Sequence, residues 1–185
     1  MPGTGSSRKT ATGVPHALEP IDRRLTAWLA HHGVTLLRIS LGVVFLWFGA
    51  LKFFPDLSPA DALAGRTIER LSGGLVGHEV AVPILAALES VIGLGLLFGV
   101  FLRVILLLLA VQMLGTLTPL VLFPGEVFTL VPLAPTLEGQ YIIKNAVLIS
   151  AAMVLGATVR GGGLVAQPEV KQVAEQIEGA EAGER

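Results

Sequence analysis

Four long apolar runs, separated by charge, proline and glycine, set the terms on which this chain folds. They lie at about 34–54 (VTLLRISLGVVFLWFGALKFF), 80–101 (VAVPILAALESVIGLGLLFGVF), 104–123 (VILLLLAVQMLGTLTPLVLF) and 140–159 (QYIIKNAVLISAAMVLGATV). Each is long enough, at about 20 residues and a 1.5 Å rise, to cross the ~30 Å hydrocarbon core of a bilayer as a helix. In lipid every backbone N–H and C=O must be satisfied within its own element, which leaves helices or closed barrels. The fold class the four runs predict is all-α: a four-helix transmembrane bundle.

Between the runs the sequence changes character. Only 15% of the residues are charged, and those collect in the ends and loops. Residues 1–19, rich in Gly, Ser, Thr and Pro, are expected to be disordered. They hold no apolar core of a cleavable leader, so the first span is expected to serve as a signal anchor. Residues 20–33 read as an interfacial helix, with Trp28 and Leu29 toward lipid and Arg23 and Arg24 toward headgroups. Ser58, Pro59 and Asp61 form a helix-start signal, and Gly73 with Gly74 a stop, so a short polar helix is expected at 59–72, outside the bilayer. Pro119 should kink the third span. Pro124–Glu138 reads as an apolar loop that re-enters or lies on the membrane. The four-span domain therefore covers 34–160, followed by an acidic tail over 161–185.

Orientation follows from Lys and Arg placement. With four spans both termini share a side, and that side holds Arg8, Lys9, Arg23, Arg24, Arg103, Arg160, Lys171 and Arg185, against Arg66 and Arg70 on the other, with Lys52 and Lys144 just inside the spans. Both termini are expected to be cytoplasmic, and the 59–72 helix extracytoplasmic.

Composition excludes several functions. With no cysteine, thiol nucleophiles, disulfide exchange and Cys-ligated zinc or iron–sulfur centres are out of reach of this chain. A net charge of −1 gives nucleic acid no footing. No GxSxG, Walker, HExxH or dinucleotide glycine motif occurs, so no catalytic residue is assigned. No metal or haem ligand set is visible either. His31 and His32 are adjacent on a helix and should point apart, which favours a surface role over a shared metal. His16 and His78 have no visible partner, and Gly161–Gly163 reads as a flexible stop.

What remains is a set of polar groups at membrane depth, where charge and amides are costly. They are Arg38 and Lys52 in the first span, Glu89 in the second, Gln112 in the third, and Lys144 with Asn145 in the fourth. Glu89 lies about nine residues, or roughly 13 Å, from the outer end of its span, near the midplane. Arg38, Gly42, Phe45, Gly49 and Lys52 share one helical face whose glycines allow close approach. The six polar residues are expected to form an intramembrane cluster centred on Glu89. The bland alternatives are open beside it: Lys52 and Arg38 snorkelling to headgroups, Glu89 in a structural ion pair, Gln112 as interhelical glue.

The stretches LLRISLGVVFLWFGALKFFP, ESVIGLGLLFG, MLGTLTPLVLFPGEVF and GQYIIKNAVLISAAMVLGA resemble the YkgB/RclC-like membrane proteins of the DoxX-like superfamily. The resemblance runs from Leu36 to Ala157 and implies a multi-pass protein of the bacterial inner (cytoplasmic) membrane. Arg38, Lys52, Glu89 and Lys144 fall on matching motif positions, and Asn145 on one where Asp or Asn is expected. It also implies an association with oxidative stress or quinone-coupled redox chemistry, without a settled reaction. Three functions then compete. One is a redox-associated membrane subunit that binds a quinone or lipid-like ligand. Another is a structural or assembly subunit, with other membrane or respiratory subunits or further copies of itself as partners. The third is a small proton-coupled transporter using Glu89.

Overall fold

The structure, a computed structural model, describes residues 19–54, 57–58 and 61–162. The expected disordered N-terminal tail and acidic C-terminal tail fall almost wholly outside the described residues. Among those described, the elements run α1 (Glu19–Leu51), α2 (Asp61–Leu71), α3 (His78–Phe98), α4 (Leu102–Leu117), α5 (Pro119–Leu122), α6 (Pro124–Val127), β1 (Phe128–Leu130), β2 (Ala134–Pro135) and α7 (Leu137–Thr158). Four stretches are long and apolar enough to cross a membrane: Pro20–Leu51, His78–Phe98, Leu102–Leu122 and Leu137–Thr158. They contain the four predicted spans to within a few residues at each end.

Contacts divide the chain into two units, one of them Val34–Gly162. In the other, the described residues are the first turns of α1. Ile21, Leu25, Trp28 and Leu29 form an exposed apolar stripe there at helical spacing. Residues 20–33 belong to the same continuous helix as the first span rather than to a separate one.

Local chemistry explains where the elements of the larger unit stop. α2 begins at Asp61, an acid in the favoured first turn, and ends at Gly73 and Gly74, whose φ values of 65° and 84° suit glycine. The Gly74 N–H returns to the Glu69 carbonyl at 2.8 Å, closing the helix end. α3 ends at Gly99, in the left-handed region at φ 70°. Two further residues, Val100 and Phe101, complete the turn into α4. Pro119 divides the third span as expected. It has no N–H to give the Gly115 carbonyl, and that oxygen instead accepts from Thr118 N at 3.2 Å and Thr118 Oγ1 at 2.6 Å. α7 starts at Thr136, whose hydroxyl accepts the Gly139 N–H at 3.2 Å.

The loop after the third span is more ordered than its composition implies. α5 and α6 are single turns, and β1 pairs antiparallel with β2, Phe128 opposite Pro135 and Leu130 opposite Ala134. Val127 is fully buried beneath this hairpin. Gly139 packs so closely on it that a Cβ there would lie 1.9 Å from the Val127 carbonyl oxygen.

The main core joins α1, α3, α4 and α7 through Phe45, Ile92, Leu96, Leu109, Met113 and Leu155. A smaller core of Leu63, Val127 and Ile142 ties α2, α6 and α7 together. The opposite faces are apolar and exposed: Trp47, Phe48, Leu107, Leu114, Val147 and Met153 are all more than half exposed. Only 17% of the most apolar stretch of α7 is buried. An apolar exterior of this extent is a lipid-facing surface. Lipid tails are as apolar as leucine, so the spans are held by close packing and polar contacts rather than by the hydrophobic effect. Glycine supplies the close packing. A Cβ at Gly93 would come within 2.4 Å of Leu46 N, and one at Gly49 within 2.9 Å of Ser90 N, so α1 and α3 touch backbone to backbone.

Candidate functional site

Three of the six predicted polar residues meet in the interior. Lys52 sits in the turn that follows α1, and its Nζ lies 2.7 Å from Glu89 Oε2 on α3. Gln112 on α4 donates from Nε2 to Glu89 Oε1 at 2.8 Å. The Lys52 and Glu89 side chains are 8% and 9% exposed. Both carboxylate oxygens are thus engaged by protein, one by a cation and one by an amide. Each partner comes from a different span, so the cluster pins three helices to one register. Gly49 makes this approach available, because a Cβ there would lie 2.8 Å from Glu89 Cβ. Lys52 does not snorkel away from the bundle, and Gln112 does act as glue between helices.

Two members of this neighbourhood were not legible in the sequence. Asp61, read only as a helix-start residue, has a carboxylate oxygen buried in the protein. Its helix, α2, lies directly on the start of α3: a Cβ at Gly65 would meet the His78 ring at 1.9 Å. Ser90, next to Glu89, faces Gly49. The Asp61 Oδ1, Ser90 Oγ and Gln112 Oε1 atoms are all buried without a hydrogen-bond partner. The small glycine opposite Ser90 was a signal on the page; nothing in the sequence pointed Asp61 inward.

The other three predicted residues lie elsewhere. Lys144 sits over the ring of Tyr141, one turn earlier on α7, 5.6 Å from its centroid. Asn145 donates to Thr116 Oγ1 across the α4–α7 contact at a marginal 3.5 Å. Arg38 does not join Glu89. Its Nη1 donates to the Leu96 and Leu97 carbonyls, the second at 3.0 Å. These are terminal carbonyls of α3, left without intrahelical donors, and a cation there also meets the negative end of the helix dipole. Gly99 makes the room, since a Cβ there would lie 3.1 Å from Nη1.

Arg38 also lines a cavity of about 180 Å³ between the four spanning helices. Val34 and Thr35 contribute from α1, Leu96 from α3, Leu106 from α4, and Leu155 and Thr158 from α7. The walls are aliphatic apart from one guanidinium and two threonine side chains. That combination suits a molecule with a polar head and an apolar body.

Two further polar features lie outside the interior. Arg66 on α2 and Glu126 on α6 form a two-pronged ion pair at 2.9 and 2.5 Å, with both side chains over 40% exposed. His31 and His32 do not point apart as expected. His32 stacks on Trp28, and the two imidazoles lie edge to face at 4.7 Å.

Four apolar helices, an apolar exterior and polar groups turned inward define a multi-pass α-helical membrane protein. Residues 33–123 match the family model described as DoxX, and over that stretch the chain is DoxX-like. The match takes in α2, α3, α4 and α5, together with α1 from Gly33 onward, so it includes Arg38, Lys52, Glu89 and Gln112 and stops before Lys144 and Asn145. Neither the curated proteins nor the solved structures gave a match.

Proposed function

We propose that this DoxX-like chain is a non-catalytic membrane subunit that holds a quinone or lipid-like amphiphile between its spans and serves a redox partner in the bacterial inner membrane. The observation that carries this reading is the 180 Å³ cavity at Arg38, walled by all four spans and amphipathic in its lining. No cysteine is present to carry electrons, so redox chemistry would rest with the ligand or a partner subunit. Resemblance to the YkgB/RclC-like proteins, and through them to oxidative stress, supports the redox association. The Lys and Arg distribution supports cytoplasmic termini; on that orientation the Arg38 cavity would lie in the cytoplasmic half and α2 outside.

The test is extraction of purified protein. Wild type in mild detergent should yield about one amphiphile per chain, by analogy with other largely preformed apolar sites. A Leu106→Trp variant, which fills the cavity, should lose it. Protein that stays folded and monodisperse while carrying no amphiphile in stoichiometric amount rules the reading out.

A specific observation favours a second reading, that of an assembly subunit. Both Glu89 oxygens are taken by protein groups, as in a structural lock. The same closure weakens the proton-coupled transporter reading, which needs Glu89 open to exchange. On the assembly reading, a partner protein co-purifies, and its loss tracks the stability of variants rather than the filling of the cavity.

A further inference from the structure

The guanidinium of Arg38 has five N–H donors in a planar fork. Two of them, both on Nη1, go to the Leu96 and Leu97 carbonyls. Among the described residues, nothing accepts from Nε or Nη2, and these two nitrogens form the edge whose parallel N–H bonds match the two oxygens of a carboxylate or phosphate. Nη1 is held in place by α3, and Gly99 leaves room for the group, so the free edge is oriented in advance. Arg38 is therefore anchored on one side and open on the other, and it lines the cavity.

Charge argues in the same direction. No Asp or Glu occurs in α1 after Val34, in α3 after Glu89, in Leu102–Leu122, or from Gly139 to Gly162. Among the described residues, the ion pair in the interior is Lys52–Glu89, and Arg38 takes no part in it. Arg103 and Arg160, at the start of α4 and the end of α7, add exposed positive charge at the same end. A cation near membrane depth with no carboxylate partner among the described residues is stabilised by an anion of suitable shape. A neutral carbonyl satisfies one or two donors but leaves the charge unmet. The cavity volume equals roughly six waters at about 30 Å³ each, enough for an oxyanion and the first methylenes behind it.

We propose that the Arg38 cavity binds the oxyanion head of an anionic amphiphile, a phosphate or carboxylate bridged by Nε and Nη2, with the start of its hydrocarbon chain against Leu106 and Leu155. The inference rests on the amphiphile reading above and narrows it from any quinone or lipid to an anionic one. It also gives Arg38 two roles, closing the end of α3 and recognising the ligand.

The experiment is native mass spectrometry of the full chain, stripped in a neutral detergent and titrated with defined probes. The probes are phosphatidylglycerol, palmitate, phosphatidylcholine, a short-chain ubiquinone and inorganic phosphate. The expected result is one phosphatidylglycerol or palmitate per chain, with phosphatidylcholine and quinone about tenfold or more weaker, as charge-assisted bidentate bonds imply. Whichever of the two anions binds more tightly identifies the source as phospholipid or fatty acid. Arg38→Lys keeps the charge but lacks the fork, and should lose about tenfold of that affinity. Leu106→Trp leaves Arg38 and its α3 contacts intact and should abolish binding. Quinone binding that Arg38→Lys does not change overturns the inference while sparing the amphiphile reading. Arg38-dependent binding of inorganic phosphate as tight as that of the lipids overturns it too, because the tail would then be irrelevant. If no probe binds wild type more tightly than Leu106→Trp, the inference and the amphiphile reading fall together.

Discussion

Lys52→Met isolates the contribution of the interior ion pair. The substitution keeps most of the length and apolar volume of the side chain and removes the ammonium. Glu89 then faces the bundle with one oxygen still bonded to Gln112 and the other without its partner at 2.7 Å. Both side chains are under 10% exposed, so water cannot easily replace the lost cation. Breaking a buried pair from one side costs about 3–5 kcal/mol, whereas replacing both members with neutral groups is often close to neutral. The folding equilibrium of Lys52→Met should therefore fall at least about a hundredfold, at one decade per 1.4 kcal/mol. The double variant Lys52→Met/Glu89→Gln should recover most of the loss, because an amide at 89 can still bond Gln112 and carries no charge. SDS-titration unfolding in mixed micelles, followed by Trp fluorescence, measures wild type, the single variants Lys52→Met and Glu89→Gln, and the double variant, the four forms that close the mutant cycle. A single variant as stable as wild type, with no coupling in the cycle, would refute the claim that this pair holds the bundle.

Packing and surface make separable predictions. Gly93→Leu should sharply reduce folded protein, since even a Cβ at Gly93 meets the Leu46 backbone. Gly115→Ala, with nothing within 4 Å, should be tolerated; size-exclusion profiles of the two variants decide the point. Arg66→Ala removes an exposed ion pair and should lower the unfolding free energy by no more than about 1 kcal/mol. A loss several times larger would mean that the α2–α6 clamp is stronger than its exposure implies.

The spans were legible because the bilayer imposes length and apolarity on whole runs of sequence, a signal that survives local detail. The division at Pro119 and the stop at Gly73 and Gly74 were legible too, because each depends on a backbone property of one residue. The hairpin over 128–135 was not: its strands are only three and two residues long, and its seat depends on Gly139 of α7 packing against Val127 and Pro135. The site divides in the same way. Lys52, Glu89 and Gln112 stood out by their cost at membrane depth, and they did meet. Arg38 stood out equally, but sequence has no view of its target, because backbone carbonyls at the end of another helix leave no side-chain signal. Asp61 looked like a helix-start residue, and one of its oxygens is buried in a neighbourhood where Gly65 seats α2 on His78.

The proposed arrangement, four crossings with the Arg38 end cytoplasmic and α2 outside, is open to a direct test, and the absence of cysteine makes that test clean. Single cysteines placed at Gly74, Arg103 and Gly162 can be probed in intact cells with a membrane-impermeant maleimide, before and after permeabilisation. Gly74→Cys should label in intact cells, while Arg103→Cys and Gly162→Cys should label only after permeabilisation. Labelling of positions 74 and 103 from the same side would contradict a crossing between α2 and α4, and with it the four-span account.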